Sequence, residues 1–141
     1  MITLKIECEP FPNEAERQFV VNGIDNYNIA KTGEAAYYPV NFFVKSESGE
    51  VFGGLLGQIW GKWLYVTYLW LAEPARSSGH GRALMLRAEK YALERGCVGA
   101  FVSTFSFQAR PFYEKLGYQV FGVVEGFPPG HSHFHLKKAL P

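Results

Sequence analysis

Cysteine and methionine are scarce in this 141-residue chain, at two each, and the charges nearly cancel: 14 basic side chains against 13 acidic give a formal net charge of +1. Cys8 and Cys97 lie far apart and share no metal-ligand or redox spacing, which points to two reduced, packed thiols in a cytoplasmic protein and not to a disulfide framework. A charge so close to zero offers no long-range field to a polyanion. Nucleic acid is therefore not an expected partner, and any phosphate recognition has to come from local geometry and a few cations. Long hydrophobic runs are missing as well. The longest, Trp63 to Ala72 with Thr67 inside it, falls far short of the roughly twenty residues of a membrane helix. Met1 to Pro12 carries Lys5, Glu7 and Glu9 and lacks the apolar stretch of a signal peptide. The expectation is a soluble, cytoplasmic protein without a membrane partner.

Aromatic residues, in contrast, make up 16% of the chain, enough to line walls as well as fill a core. The length suits one domain spanning 1–141, and no internal repeat or linker interrupts it.

Ile2, Leu4 and Ile6 alternate with polar residues at the period of a half-buried strand, which Pro10 and Pro12 end. Asn13 is placed to cap a helix with Glu14 and Glu16 in its first turn and Phe19, Val20 and Ile24 on one face. Asn26 to Pro39 reads equally as a short helix or a loop over a site. Val40 to Lys45, Val51 to Trp60 and Trp63 to Leu71 form three strands joined by short turns, an antiparallel meander. The third is apolar on both faces and is expected to be central and covered on both sides. A helix from about Ser78 to Arg95 follows, with Leu84, Ala88, Tyr91 and Ala92 on one face and Gly96 just past its end. Ala100 to Phe105 completes a strand–helix–strand crossover onto a parallel neighbour. Ser106 is placed to cap a short helix through Leu116, and Tyr118 to Val124 and Phe134 to Leu140 form a last strand pair around the Gly126 to Gly130 loop. The fold class is α/β with a mixed sheet.

The segment joining the third strand to the long helix, Arg76-Ser77-Ser78-Gly79-His80-Gly81, carries the chemistry. Two glycines before a helix leave backbone N–H groups bare for an anion, and Arg76 and Arg82 add charge beside them. The segment is not a P-loop, because Arg82-Ala83 stands where Lys-Ser/Thr should follow, and it lacks the third glycine of a dinucleotide fingerprint. Read alone, it binds a phosphate group or merely packs a helix against a strand.

Together with Phe112-Tyr113-Glu114-Lys115-Leu116-Gly117-Tyr118 behind the strand at Phe101 to Phe105, the segment resembles the GNAT superfamily of N-acetyltransferases. That family joins a central strand, Gln/Arg-x-x-Gly-x-Gly/Ala and a helix to a later aromatic-Tyr-Glu-Lys-x-Gly-aromatic run. The resemblance implies a splayed parallel strand pair with helices on both faces, and acetyl transfer from acetyl-CoA to a primary amine of a small molecule or peptide. The amine would attack directly in a ternary complex. It further implies that backbone groups near Leu69 and Leu71 pair with the pantetheine arm and that Arg76, Ser77, Ser78, Gly79, His80, Gly81 and Arg82 cradle the pyrophosphate. Ser106 stands nearest the place of a cofactor-binding Asn, and Tyr113 takes the position of a tyrosine that protonates the departing thiolate. A phenol titrating near ~10 keeps its proton at neutral pH, ready for a thiolate whose thiol titrates near ~8.5. Dimers are common in that family, and the aromatic last strand pair could supply an interface or be core.

For the general base the sequence leaves open a water relay or a carboxylate, with Glu34, Glu73 and Glu125 unranked. His131, His133 and His135 alternate on one face of a strand but do not make a metal set; none is expected, and His131 is placed to close the Pro128-Pro129-Gly130 loop. A catalytically silent acyl-CoA-binding module is the alternative function, since it needs Arg76 to Gly81 and not Tyr113. A scaffold whose turn only packs a helix is a third.

Overall fold

Asn13 does start the first helix: its Oδ1 accepts the Glu16 N–H at 2.8 Å, and helix α1 runs Glu14–Thr32 until Gly33, at φ 72, turns the chain out of it and donates to the Ile29 carbonyl. The computed structural model describes residues 1–35 and 37–141 and divides the chain into two units, Met1–Ala36 and Tyr37–Pro141. In the first unit, the strand expected at Ile2 to Glu7 is absent: residues 1–12 carry no regular structure, and Ile2, Leu4 and Ile6 are exposed. Alternation marks the face a strand would bury but supplies no partner ladder, and no strand pairs with these residues. The ambiguous stretch from Asn26 is helical through Thr32; Ala36, within that stretch, lies outside the described residues. Cys8 is exposed, against the expectation of two packed thiols, whereas Cys97 is buried.

The second unit is built on a six-stranded sheet. Strands β1 (Tyr38–Lys45), β2 (Val51–Trp60) and β3 (Trp63–Leu71) form the expected meander, a short 3-10 turn covers Glu73–Ala75, and helix α2 spans His80–Glu94. Strand β4 (Gly99–Phe105), helix α3 (Arg110–Lys115), β5 (Gln119–Glu125) and β6 (Ser132–Ala139) complete it. The order is β1-β2-β3-β4-β6-β5, antiparallel throughout except for β3 and β4. Gly96 closes α2 at φ 85; its N–H donates to Leu93 and that of Cys97 to Ala92. This is the paired bonding of a left-handed helix stop.

Leu84, Met85, Ala88 and Ala92 of α2 are buried against Leu55, Leu64 and Val66. Each fully buried leucine in this core contributes about 1.5–3 kcal/mol. The same helix buries Glu89, which the apolar periodicity did not anticipate. Its carboxylate accepts from the Tyr118 hydroxyl at 2.9 Å and from Lys138 Nζ at 2.7 Å, so the buried charge is paired and hydrogen-bonded.

Strand β3 is central but not covered on both sides. Its pairing skips Thr67, with Leu56 opposite Tyr68 and Gly57 opposite Val66, so Thr67 forms a bulge. Strict alternation would put Tyr68 and Trp70 with Leu64 and Val66. The extra residue instead moves Leu69 and Leu71 onto that α2-facing side and leaves Tyr68 and Trp70, 66% and 62% exposed, on the other. Aromatic content explains the difference, because such side chains line clefts as readily as they fill cores.

Candidate active site

Strands β3 and β4 pair only from Trp63 opposite Gly99 to Val66 opposite Val102. Beyond that point β3 stays with β2 and β4 with β6, and the two diverge. The bulge at Thr67 adds local twist where the divergence starts. Between them opens a cleft of about 1140 Å³, walled by Tyr68 to Leu71 on one side and Ser103 to Phe105 on the other. Tyr113 and Phe112 from α3, Arg76 and Ser77 from the loop before α2, Gly81 from the first turn of α2, and His133 from β6 complete it.

The loop has the shape an anion needs. Ser77 at φ 64 and Gly79 at φ 83 flank Ser78, which has no positive φ, and such an alternation converges successive N–H groups. Gly79 is the N-cap of α2 and has no side chain to cover the N–H groups of the first turn, which lack intrahelical acceptors. A Cβ on Gly81 would touch the Phe112 ring at 3.4 Å, while one on Gly79 would meet nothing within 4 Å, so the space before the helix is open. Arg76 Nε donates to the Leu71 carbonyl at 2.9 Å, which holds the guanidinium at the β3 wall. One lone pair of that carbonyl is thereby occupied and the other is left for a second donor. Leu69, Leu71, Arg76, Ser77 and Gly81 thus line the cleft, and Ser78, Gly79, His80 and Arg82 continue along the exposed loop and first turn. Backbone donors, an open approach and one fixed cation fit a phosphate-bearing donor such as acetyl-CoA.

Tyr113 is 5% exposed, and burial raises its phenol to about 12. Its hydroxyl has no hydrogen-bond partner among the described residues, yet it is not an orphaned buried atom, because it opens on the cleft. Ser106 does not cap α3. The N-cap is Ala109, whose N–H is accepted by Thr104 Oγ1 at 3.2 Å. Ser106 Oγ instead accepts the Ser132 N–H at 3.0 Å and lies 3.3 Å from His131 Nδ1, outside the cleft lining. The helix begins only at Arg110, three residues too late for Ser106 to be its cap, and the Ser106 hydroxyl accepts from strand β6 instead.

His131 closes the 126–130 loop: its N–H donates to the Pro128 carbonyl at 2.9 Å and its carbonyl accepts from Gly126 and Phe127. His133 enters the cleft, a placement the sequence reading did not assign, although the i, i+2 alternation put the histidines on one face. Among the described residues no group of three or more His, Cys, Asp or Glu side chains could hold a metal ion. Neither Glu73 nor Glu125 lines the cleft, and Glu34 belongs to the other unit.

Residues 3–118 match the model of the acetyltransferase (GNAT) family, and the chain belongs to that family. It is an acetyltransferase. It is 42% identical over 95 residues to the blasticidin-S acetyltransferase of Streptomyces morookaense, a match covering 67% of this chain and 70% of that one. A crystal structure from Agrobacterium tumefaciens, assigned as an acetyltransferase, superposes with a TM-score of 0.91 at 28% identity, covering 96% of this chain and 99% of that chain. A Bacillus anthracis structure assigned as a streptothricin acetyltransferase and solved with acetyl coenzyme A shares the fold, with a TM-score of 0.63 at 18% identity over 73% of this chain and 63% of that one. No helix among the described residues is long and apolar enough to cross a membrane.

Proposed function

We propose that this acetyltransferase moves an acetyl group from acetyl-CoA to a primary amine of a small molecule or peptide, by direct attack in a ternary complex within the β3–β4 cleft. The observation that carries the reading is the end of strand pairing at Val66 and Val102, which opens one cleft onto both the Arg76–Arg82 loop and the Tyr113 hydroxyl. In this reading the N–H groups of Ser77 to Arg82, with the Arg76 guanidinium, hold the pyrophosphate, and the unpaired stretch of β3 around Leu69 and Leu71 offers its backbone to the pantetheine arm. Ser106 takes part only at the margin, since its hydroxyl is engaged with β6.

Tyr113 supplies the proton to the departing sulfur. Its raised pKa keeps the phenol fully protonated at neutral pH but makes it a weaker acid. The mismatch narrows because a thiolate leaving into the same low-dielectric cleft is destabilised in the same way. Cys97, the one cysteine of the second unit, does not line the cleft, which favours direct attack over a covalent enzyme intermediate. The protein works in the cytoplasm in this reading. A homodimer would be joined at the sheet-edge strand β5, where Phe121 and Val123 are exposed.

The name of the Streptomyces relative makes blasticidin S the first acceptor to test. Thiol release from acetyl-CoA, followed with blasticidin S, aminoglycosides, polyamines and short peptides, should rise above hydrolysis for at least one amine. Coenzyme A binding with no transfer to any acceptor would favour a silent acyl-CoA-binding module.

A further inference from the structure

Acetyl transfer to an amine requires the ammonium to lose a proton before its lone pair can attack, and the cleft walls that the second unit builds carry no carboxylate for that step. Its walls carry tyrosines, Ser103, Thr104, Gln108, the guanidinium of Arg76 and a single imidazole, that of His133. Arginine stays protonated and serine, threonine and glutamine do not accept a proton near neutral pH, so the imidazole is the one basic group of suitable strength on the lining.

His133 is also built in place. Its ring stacks on Phe105 at 4.2 Å and 25°, with Phe127 at 5.5 Å and His135 at 4.7 Å. His135 is itself held by Ser103 Oγ, 2.9 Å from its Nδ1. Strand β6 therefore carries a ring fixed by aromatic neighbours from β4 and from the loop after β5, with one edge open to the cleft that also receives Tyr113.

We propose that His133 is the general base of this acetyltransferase, taking the first proton from the acceptor ammonium; this rests on the transfer reading above. The acceptor R–NH3⁺ gives one proton to the imidazole and becomes R–NH2. Its nitrogen bonds the acetyl carbonyl carbon and the carbon–sulfur bond breaks. The second nitrogen proton is lost as the amide forms and replaces the one Tyr113 gives to the thiolate, while the His133 proton passes to solvent. The products are the acetamide, the free thiol and one proton.

The surroundings favour this assignment. Burial first, and then the neighbouring His135, lower the His133 pKa, so the ring is neutral at physiological pH and does not repel a cationic acceptor. His135 lies against the ring, and the titratable groups that share the cleft lining with it are Tyr113 of α3 and Tyr65 and Tyr68 of β3; Arg76, bonded to Leu71, is the one cation on the lining. The same aromatic walls disfavour a buried ammonium and bring the acceptor pKa down towards that of the base.

The test uses the best acceptor found among blasticidin S and the amine panel, with kcat and KM measured against pH for the parent, His133→Gln and His133→Phe. The phenylalanine variant keeps the stacking on Phe105, and coenzyme A titration checks that the donor site is intact in each. The parent should show an acid limb in kcat/KM with a midpoint below 6.5. Both variants should lose that limb and about 10²-fold in kcat, with unchanged coenzyme A affinity. Variants that keep the parent's rate and acid limb, or that lose coenzyme A binding, overturn the role of His133 alone. A parent that binds coenzyme A but acetylates nothing overturns the transfer reading and this role with it.

Discussion

Val66 and Val102 are the last residues that β3 and β4 hold side by side. At the other end of that short parallel pair, Trp63 lies opposite Gly99, and a Cβ on Gly99 would come 2.5 Å from the Trp63 ring. The indole therefore packs on the bare Gly99 backbone at the end away from the cleft, and a side chain there would have to push the ring aside. Gly99→Ala should cost about 1–3 kcal/mol through overpacking, seen as a lower urea midpoint with an unchanged slope. Trp63→Leu in the same chain should recover part of the loss.

Glu89 ties α2 to Tyr118, just before β5, and to Lys138 of β6. Removing the carboxylate leaves a partly buried ammonium and a buried phenol without their acceptor. Glu89→Ala should destabilise the protein by about 3–5 kcal/mol. Glu89→Gln, which keeps an acceptor but not the charge, should cost less. Denaturant unfolding of the two variants at neutral pH reads the difference.

Burial raises Tyr113 from 10.0 to about 12. Between those values the unfolded chain has lost a proton that the folded chain still binds, so stability is full below pH 10 and falls as the pH rises towards 12. The loss from this group amounts to about 2–3 kcal/mol. Thermal unfolding between pH 9 and 12 should show a falling midpoint that is shallower in Tyr113→Phe. Tyr118, raised by burial and by the Glu89 charge, contributes to the slope that remains, as do Tyr91 and Cys97, whose pKa values are also raised.

Much of this architecture was legible in the residues, because α2, β1 to β4 and the glycine-containing loop rest on local signals: helical period, turn chemistry and a glycine stop. The resemblance names Tyr113 and the loop, and Tyr113, Arg76, Ser77 and Gly81 border one cleft. What escaped the sequence depends on partners distant in the chain. Ile2 to Glu7 alternates like a strand but finds no ladder. Ser106 sits where a helix cap would be useful, yet β6 takes its hydroxyl. Glu89 was not singled out, because its partners Tyr118 and Lys138 meet it only after folding. The bulge at Thr67 is a matter of register, which apolar content alone does not specify. His133 was visible as one of three alternating histidines, but its place in the cleft follows from β6 lying next to β4.

The central claim is that one cleft binds the donor at the loop and spends it at Tyr113, and calorimetric titration with coenzyme A beside turnover tests it most directly. Gly79 has φ 83, so a tryptophan there is strained and projects its ring into the open space before α2. Gly79→Trp should abolish binding, whereas Tyr113→Phe should bind coenzyme A as the parent does and turn over about 10²-fold or more slowly. Coenzyme A binding that survives Gly79→Trp, or turnover that survives Tyr113→Phe, would contradict it.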